Sequence, residues 1–523
     1  MQNQLKCVPE NAVLTGWDFS TGAVKCLAFD LDGNVLAETR FPTELAIGED
    51  GSIELNLLQL EGQARQTLRE ITAKLRELGR LDDWLAGGIS ATHHTAGRID
   101  ELGGQIRRAI CWNDQTLAEF HALGLQRLGG PERVQELLGG PWAIRYTLSH
   151  LVKDELKLSP EKWNATRWIQ THGGLSAGYL TGNFGVLSVS SAASTGLMDF
   201  RTKTWRREML GALADEENRL MAWNQLPEII DCDTPVGCVA GMTDFEDAQL
   251  PPNLRGFGLA HRSGPLIFPT SDDQQAGLVG GGAVNDGEIA VILGNSAVVN
   301  SSCAVIPPSD VNLDVMALNW GPYLLMRCYS NGAFFIDRVL GPNPDFAALE
   351  KAAEAVGPGA NGARILPFIV SEPSLGVNAP NLKWIGEEPT DPGVRYRACL
   401  EALAYLIALG VEEHRKAGCA VRSISVSGGL AKSGLMCKIL ASVLKFPLRR
   451  LKSQEGPALG AAVTALSALE NHLRKEKGID ERFTVQDAVL RMVQFRETVE
   501  PVKAWEAFYE AGLEQFKKSG VRN

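Results

Sequence analysis

Ala12-Val13-Leu14-Thr15-Gly16-Trp17-Asp18-Phe19-Ser20-Thr21-Gly22-Ala23-Val24-Lys25-Cys26-Leu27-Ala28-Phe29 is the stretch whose reading decides the fold. Ala12 to Trp17 is apolar, Asp18 to Gly22 is small and polar, and Val24 to Phe29 is apolar again, which spells strand, turn, strand. Asp32-Gly33-Asn34 then supplies a hairpin turn, and Val35 to Phe41 continues as a third strand. Leu60, Ala64, Leu68, Ile71 and Leu75 recur at three- or four-residue spacing, so a helix is expected over Leu57 to Leu78, followed by a strand running into Ile89. This order implies a mixed sheet with helices packed on it. The pattern restarts near Gly287: Ile289 to Leu293 is apolar, Gly294-Asn295-Ser296 punctuates, and Ala297 to Val299 is apolar. The echo fits a duplicated domain, with the Gly-rich stretch Gly277 to Gly287 as its boundary. Further helices are expected over Val394 to Lys416 and over Val485 to Phe516, the latter interrupted at Pro501.

A chain of 523 residues exceeds one ordinary core, so two large domains are expected. No apolar run reaches the ~20 residues that span a membrane. Met1 to Glu10 is polar, without a basic-then-apolar layout, and a cytoplasmic enzyme is the expectation. The net charge of −11 and the shortness of the Arg449-Arg450-Leu451-Lys452 patch argue against a nucleic-acid partner. The ten cysteines are scattered and contain no Cys-x-x-Cys, so they read as small buried residues.

Four segments carry candidate chemistry. The turn Ser20-Thr21-Gly22, with Asp18 ahead and Lys25 behind, can aim successive backbone N–H groups at phosphate oxygens, and the carboxylate suits Mg²⁺. An ordinary hairpin with an Asp cap is the plain alternative. Ser427-Gly428-Gly429-Leu430-Ala431-Lys432-Ser433 lies between an apolar strand, Ile424 to Val426, and a helix, Leu435 to Leu444. Glycines there let backbone approach a ligand at a helix N-terminus, although the sequence is neither a Walker A loop nor Gly-x-Gly-x-x-Gly. Asp272-Asp273-Gln274-Gln275 offers either a helix cap or a general base. His93-His94 and Trp112-Asn113-Asp114 follow apolar strands, where loops carry polar ligand contacts; for His93 a core or surface role is the expectation.

In this order, the segments resemble the FGGY carbohydrate kinase family, closest to its xylulokinase-like branch. Gly16 to Lys25 is similar to the first phosphate motif, and Ile89-Ser90-Ala91-Thr92-His93-His94 to the stretch ending in Met-His-Gly, with His94 at the His. Ile110 to Asp114 resembles the Trp-x-Asp sugar motif. Asp273-Gln274-Gln275-Ala276 resembles the segment carrying the catalytic Asp, and Gly294-Asn295-Ser296 the second phosphate motif. Gly428 to Ser433 and Glu455 to Ala462 resemble the adenosine region. There are departures. Ser20 stands where Gly is usual and Gly22 where Thr or Ser is. Gln115-Thr116 replaces Gly-Arg, Asn295 replaces Thr, and Glu372-Pro373-Ser374 replaces Glu-Arg-Thr-Pro. The stretch between Met242 and Ser271 is longer than the family's.

The resemblance implies an α/β protein of duplicated RNase-H-like (actin-like ATPase) domains with an active-site cleft between them: residues 11–283 for sugar and phosphate, 284–495 for adenine nucleotide, and a helical tail over 496–523. It implies transfer of the γ-phosphate of ATP to a primary hydroxyl of a ketose or polyol. Asp273 is the implied base. His94, Trp112, Asp114, Asp273 and Gln274 are the implied sugar contacts. Ser20, Thr21, Gly22, Lys25, Gly294, Asn295, Ser296, Gly428, Gly429, Leu430, Ala431 and Ser433 are the implied ATP contacts, and Asp18 holds Mg²⁺ through water. Thr116, too short to replace an Arg, implies a retuned sugar pocket. The expected partners are sugar and ATP, with a homodimer as the assembly and no membrane. An actin-like nucleotide switch and a catalytically degenerate sugar-kinase relative are the alternatives.

Overall fold

The computed structural model describes residues 4–239, 264–269, 271–307, 311–342, 344–453 and 455–519. Of the extended stretch between Met242 and Ser271, residues 242–263 and 270 lie outside the described residues. The chain forms two compact units. One comprises Met1–Gly280, Val315–Tyr323 and Pro457–Val493; the other comprises Gly281–Asp314, Leu324–Gly456 and Gln494–Asn523.

In the first unit the opening stretch forms β1 (Val13–Phe19), β2 (Ala23–Phe29) and β3 (Val35–Pro42). The central sheet also takes β4 (Trp84–Ala91), β5 (Gly237–Cys238) and β6 (Leu266–Phe268), in the order β5-β6-β4-β1-β2-β3. The β1–β2 and β2–β3 pairs are antiparallel hairpins, whereas β1–β4 and β4–β6 are parallel. β1 is buried along its whole length, as a strand covered on both faces must be, so it reads as a nearly continuous apolar run. Helix α1 (Leu57–Glu77) lays Leu60, Ala64, Leu68, Ile71 and Leu75 on the sheet, against Trp17, Phe19, Val24 and Trp84. Each such fully buried Leu or Ile contributes about 1.5–3 kcal/mol. Asn56 caps α1 by accepting the Leu58 N–H at 3.0 Å.

Helix α2 (Thr147–Lys157) packs in a separate cluster with Phe120, Trp142 and Met209, while α3 (His172–Thr181) and α4 (Asp273–Gly280) lie against this sheet. A five-stranded sheet runs in the order Leu45–Ile47, Ile53–Leu55, Gln105–Ile110, Ala96–Ile99, Trp168–Thr171.

The second unit repeats the core. The hairpin β7 (Glu288–Leu293) and β8 (Ala297–Cys303) is antiparallel, and β7 pairs in parallel with β10 (Ser423–Ser427), as β1 does with β4. With β9 (Tyr323–Tyr329), β11 (Leu448–Leu451) and β12 (Phe495–Val499), the order is β9-β8-β7-β10-β11-β12. Helix α5 (Pro392–Lys416) crosses this unit's core, begun by Pro392 at its first position and by the Asp391 carboxylate accepting the Val394 N–H. Helix α6 (Gly434–Leu444) follows β10.

The end of the chain differs from its expected helical reading. Helices occupy Val485–Met492 and Lys503–Lys518, but Phe495–Val499 between them is strand β12. Its residues meet specific partners on β11: Glu497 lies directly opposite Arg450 and pairs with it, and the Arg449 guanidinium sits 4.3 Å from the Phe495 ring centroid. Cross-strand pairing decides what local helical spacing could not.

The helix Gly456–Glu476, α7, belongs from Pro457 onward to the first unit, and it is fitted by glycine. A Cβ on Gly16 of β1 would stand 1.8 Å from the Ala458 carbonyl oxygen, and a Cβ on Gly460 would stand 1.8 Å from the Ala276 carbonyl oxygen of α4. Backbone meets backbone at both places, so no rotamer change relieves the clash. Gly16→Ala is therefore expected to lower stability by about 3 kcal/mol, at the upper end of overpacking costs. Urea unfolding followed by tryptophan fluorescence measures it, and a loss within ~0.5 kcal/mol would show that α7 shifts freely.

Candidate functional site

In the first unit, parallel pairing carries the chemistry to one strand end. Asp18 lies beside Ser90 across β1 and β4, and the Ser90 hydroxyl donates to Asp18 Oδ1 at 3.0 Å. On the other side Asp18 faces Lys25, whose ammonium is 4.0 Å from Oδ2. The following turn is braced within itself: Ser20 N–H donates to the Ala23 carbonyl at 3.0 Å, and Ala23 N–H donates to Ser20 Oγ at 3.2 Å. Ser20's hydroxyl thus stiffens the turn, while Gly22 is exposed at its tip.

The β4–β6 pairing extends through a parallel bridge between Ala91 and Asp272, which sets the paired carboxylates next to His93. His93 Nδ1 is 2.8 Å from Asp273 Oδ1, and His93 Nε2 is 3.4 Å from Asp272 Oδ2. The His93 N–H also donates to Asp273 Oδ1, at 3.3 Å, as does the Gln274 N–H, at 3.0 Å. Asp272 Oδ1 accepts from the Ser191 hydroxyl at 2.8 Å. The neighbours in sequence differ sharply in access: the side chain of Asp273 is 26% exposed and that of Asp272 2%.

Their ionisation differs too. Burial pushes the Asp272 carboxyl up to about 6. Burial also works to raise Asp273, but the hydrogen bond and charge of His93 outweigh it and hold that carboxyl below its ordinary value. Burial lowers His93, yet the two carboxylates more than compensate, and its ring ionises above the ordinary range. His94, by contrast, is held well below that range by burial, with the Arg145 and His93 charges adding to the effect. His94 adopts φ 59° and stacks on Tyr146 with centroids 4.6 Å apart. Burial lowers His172 of α3 to about 4.

Asp114 is placed elsewhere. Its Oδ2 accepts the Ile53 N–H at 3.0 Å, and its Oδ1 accepts the Thr116 N–H at 2.8 Å and the Thr116 hydroxyl at 2.5 Å. Its side chain is 0% exposed, while Trp112 is 41% exposed. Lys153 of α2 donates to Thr116 Oγ1 at 2.7 Å and stands 3.9 Å from Asp114 Oδ2. A cation thus reaches Thr116 from a different helix.

In the second unit, Gly294-Asn295-Ser296 is the turn between β7 and β8, and its carbonyls are anchored by the Gly332 N–H, at 2.9 Å, and the Ala333 N–H, at 2.8 Å. Gly428 ends β10 at φ 90°, and a Cβ there would lie 2.5 Å from the Leu293 carbonyl oxygen. The fold thereby brings Gly428 beside the turn that begins at Gly294. Gly429–Lys432 forms a 3₁₀ turn, with Gly429 exposed and Ala431 buried. Ser433 is the N-cap of α6, its hydroxyl accepting the Met436 N–H at 3.0 Å. Buried Glu372 accepts the Ser330 N–H at 2.9 Å and the Asn331 amide at 3.1 Å.

Models of two domains of a single family match this chain: the N-terminal domain of the FGGY carbohydrate kinases over residues 13–243 and the C-terminal domain over residues 350–469. The chain belongs to the FGGY family of carbohydrate kinases. It is a phosphotransferase acting on an alcohol group, and ATP is the family's phosphoryl donor. The chain is 25% identical over 387 residues to the xylulose kinase of Haemophilus influenzae, covering 73% of this chain and 75% of that one. It is 24% identical over 466 residues to a Staphylococcus epidermidis xylulose kinase, covering 87% and 88%. The crystal structure of a xyloylose kinase from Brucella ovis superposes with a TM-score of 0.79 at 19% identity, covering 97% and 98% of the two chains. That likeness fixes the fold, the duplicated actin-like ATPase fold. Among the described residues no helix is long and apolar enough to cross a membrane.

Sequence reasoning gave His93 a core or surface role and Asp272 none of its own within the doublet, and it passed over Ser191 and Lys153. The doubled His and doubled Asp were visible, but the Ala91–Asp272 bridge that brings them together joins residues 181 positions apart. Asp114→Ala is expected to cost about 2 kcal/mol, because the Ile53 and Thr116 donors lose their acceptor. Equilibrium unfolding in urea, with Asp114→Asn as the milder companion, measures this; equal stability of wild type and Asp114→Ala would refute the anchoring role.

Proposed function

We propose that this kinase transfers the γ-phosphoryl group of ATP to a primary hydroxyl of a ketose of the pentulose class, with Asp273 accepting the hydroxyl proton. The observation that carries the choice of base is the contrast in access within the doublet: Asp273 can be reached and Asp272 cannot. The xylulose kinases among the relatives support the substrate class.

Phosphoryl transfer asks for an aligned nucleophile, stabilised phosphate charge and a place for the hydroxyl proton. Asp273 is ionised at neutral pH, so it can accept that proton as bonding to phosphorus develops. The backbone N–H groups of Thr21 and Gly22, on a turn stiffened by Ser20, are suited to phosphate oxygens, with Lys25 as the neighbouring cation. The Gly294–Ser296 turn and the Gly428–Ala431 loop of the second unit are proposed to take the nucleotide. Ser433 supports that loop as a helix cap, and Ala431, buried, supports it through its carbonyl, which accepts from Arg450 at 3.1 Å.

Among the described residues no group of three or more His, Cys, Asp or Glu is placed to hold a metal ion alone. Asp18 fits Mg²⁺ of another kind, one held by one or two carboxylates together with the substrate's phosphates. Bound there with ATP, Mg²⁺ would neutralise phosphate charge. His94, kept neutral, can hydrogen-bond sugar hydroxyls as donor or acceptor. Asp114 is proposed to act on the sugar through Lys153 and Thr116, which it orients.

Asp273→Asn is expected to lower kcat by about 10²-fold or more while the Kd for ATP stays within about twofold. A larger loss in Asp272→Asn would reverse the choice of base. Incubation with ATP and a panel of ketoses and polyols, followed by identification of the product, tests the reaction. ATP turnover indifferent to any sugar would favour a nucleotide switch.

A further inference from the structure

His93 stands between two carboxylates with one ring nitrogen aimed at each. Nδ1 and Asp273 Oδ1 form a good hydrogen bond. On the other side, His93 Nε2 and Asp272 Oδ2 are both buried and face each other at 3.4 Å, and the side chain of Ser194 also acts on the Asp272 carboxylate. The remaining Asp272 oxygen is taken by Ser191. Two bare lone pairs would repel at that place, whereas one proton satisfies both atoms. We propose that His93 and Asp272 hold a single proton between them, and that His93, so charged and fixed, keeps Asp273 ionised and turned toward the acceptor hydroxyl. His93 is a positioning residue, and Asp272 is its buried counter-group. The proposal rests on the assignment of Asp273 as the base.

The surroundings bear on the charge of this group from every side. Asp272 and Asp273 favour the imidazolium. Arg145, in the segment leading into α2, opposes it. His94, with its ring centroid 5.0 Å from that of His93, is neutral at physiological pH and adds no charge. His172 at the start of α3, near Asp273, is likewise neutral there. The two carboxylates prevail over burial and Arg145. At rest, Asp272, His93 and Asp273 carry a net charge of about −1 in either position of the shared proton.

The arrangement also answers a difficulty in the reaction. An Asp paired to a cation is a weakened base, because its carboxylate form is stabilised. As the hydroxyl proton arrives on Asp273, the imidazolium loses its anionic neighbour. The Nε2–H bond can then break and an Oδ2–H bond form on Asp272, the electron pair staying on nitrogen, and no other reactant is consumed. The cluster accepts one proton in total and goes from about −1 to neutral. It resets when Asp273 returns that proton to solvent after product leaves.

The test has one arm that does not depend on activity. In the full-length protein, ring ¹⁵N shifts of histidine, with the His93 signals assigned by their loss in His93→Gln, are followed against pH. His93 is expected to remain protonated at both nitrogens, or to share its Nε2 proton, beyond pH ~7. In Asp272→Asn its titration should fall by about one unit or more. A His93 that is plainly neutral at pH 7, or that titrates identically in Asp272→Asn, overturns the proposal.

The second arm is the pH profile of kcat and KM. His93→Leu removes the cation from Asp273, so the acid limb should move up by about one unit or more and kcat at pH 7 should fall about tenfold, with KM for ATP within about twofold. His93→Gln, which keeps an N–H donor, should recover part of kcat but retain the displaced limb. An acid limb within ~0.3 unit of wild type in His93→Leu also overturns the proposal. The wild-type and Asp272→Asn titrations decide the matter if His93→Leu does not fold. Full activity in Asp273→Asn would remove the base assignment, and the shared proton would still stand or fall by the ring shifts.

Discussion

Parallel pairing of strands has a directional consequence on which the first unit depends: strands that run together end together. β1 and β4 run side by side from Leu14–Ala86 to Phe19–Ala91, and β6 joins β4 in the same sense, its line carried on by the Ala91–Asp272 bridge. Three segments far apart in sequence therefore deliver their next residues to one edge. Asp18, Ser90, His93 and the Asp272-Asp273 doublet meet because the strands before them are buried and in register. Slipping β4 by one residue would turn Ser90 away from Asp18 and its flanking side chains to the opposite face. Ligand sites in α/β sheets gather at the carboxyl ends of strands for this geometric reason.

Gathering charge in this way has a cost that the same edge must offset. A buried carboxylate and a buried imidazole stand here beside a partly open second carboxylate, and uncompensated buried charges would cost several kcal/mol each. Hydrogen bonds from Ser191, from Gln274 and from the His93 backbone distribute the load. The result is a division of labour between adjacent identical residues, one open and ionised, the other enclosed and drawn toward its neutral form. Identical side chains reach opposite shifts in ionisation through environment alone.

Much of this architecture was legible in the sequence. The hairpin at Ala12–Phe29, its echo at Ile289–Val299 and the apolar stripe of α1 are local patterns, and local patterns survive without coordinates. Asp273 could be singled out by its motif. Its relation to His93 could not, because it rests on a strand-to-strand bridge that leaves no periodic trace. The same limit explains β12: Phe495 and Glu497 look helical alone and become a strand only opposite Leu451 and Arg450. At Thr116 the sequence showed a missing Arg, and only the fold could supply Lys153 from α2.

The first unit begins at the start of the chain and is finished near its end. Glu470 in α7 accepts the backbone N–H groups of Lys6, Cys7 and Val8, and Arg474 beside it donates to that carboxylate and to the Gln4 carbonyl. Gly16 likewise waits for the Ala458 turn. During synthesis at ~5–20 residues per second, roughly 20 to 90 seconds separate the emergence of β1 from that of the helix that covers it. The packing of the first unit is therefore completed only once these late residues are present. Until Pro457 and the residues after it have been made, the backbone of Gly16 has no Ala458 turn to meet, and a chain that stops short of Pro457 lacks that part of its first unit altogether.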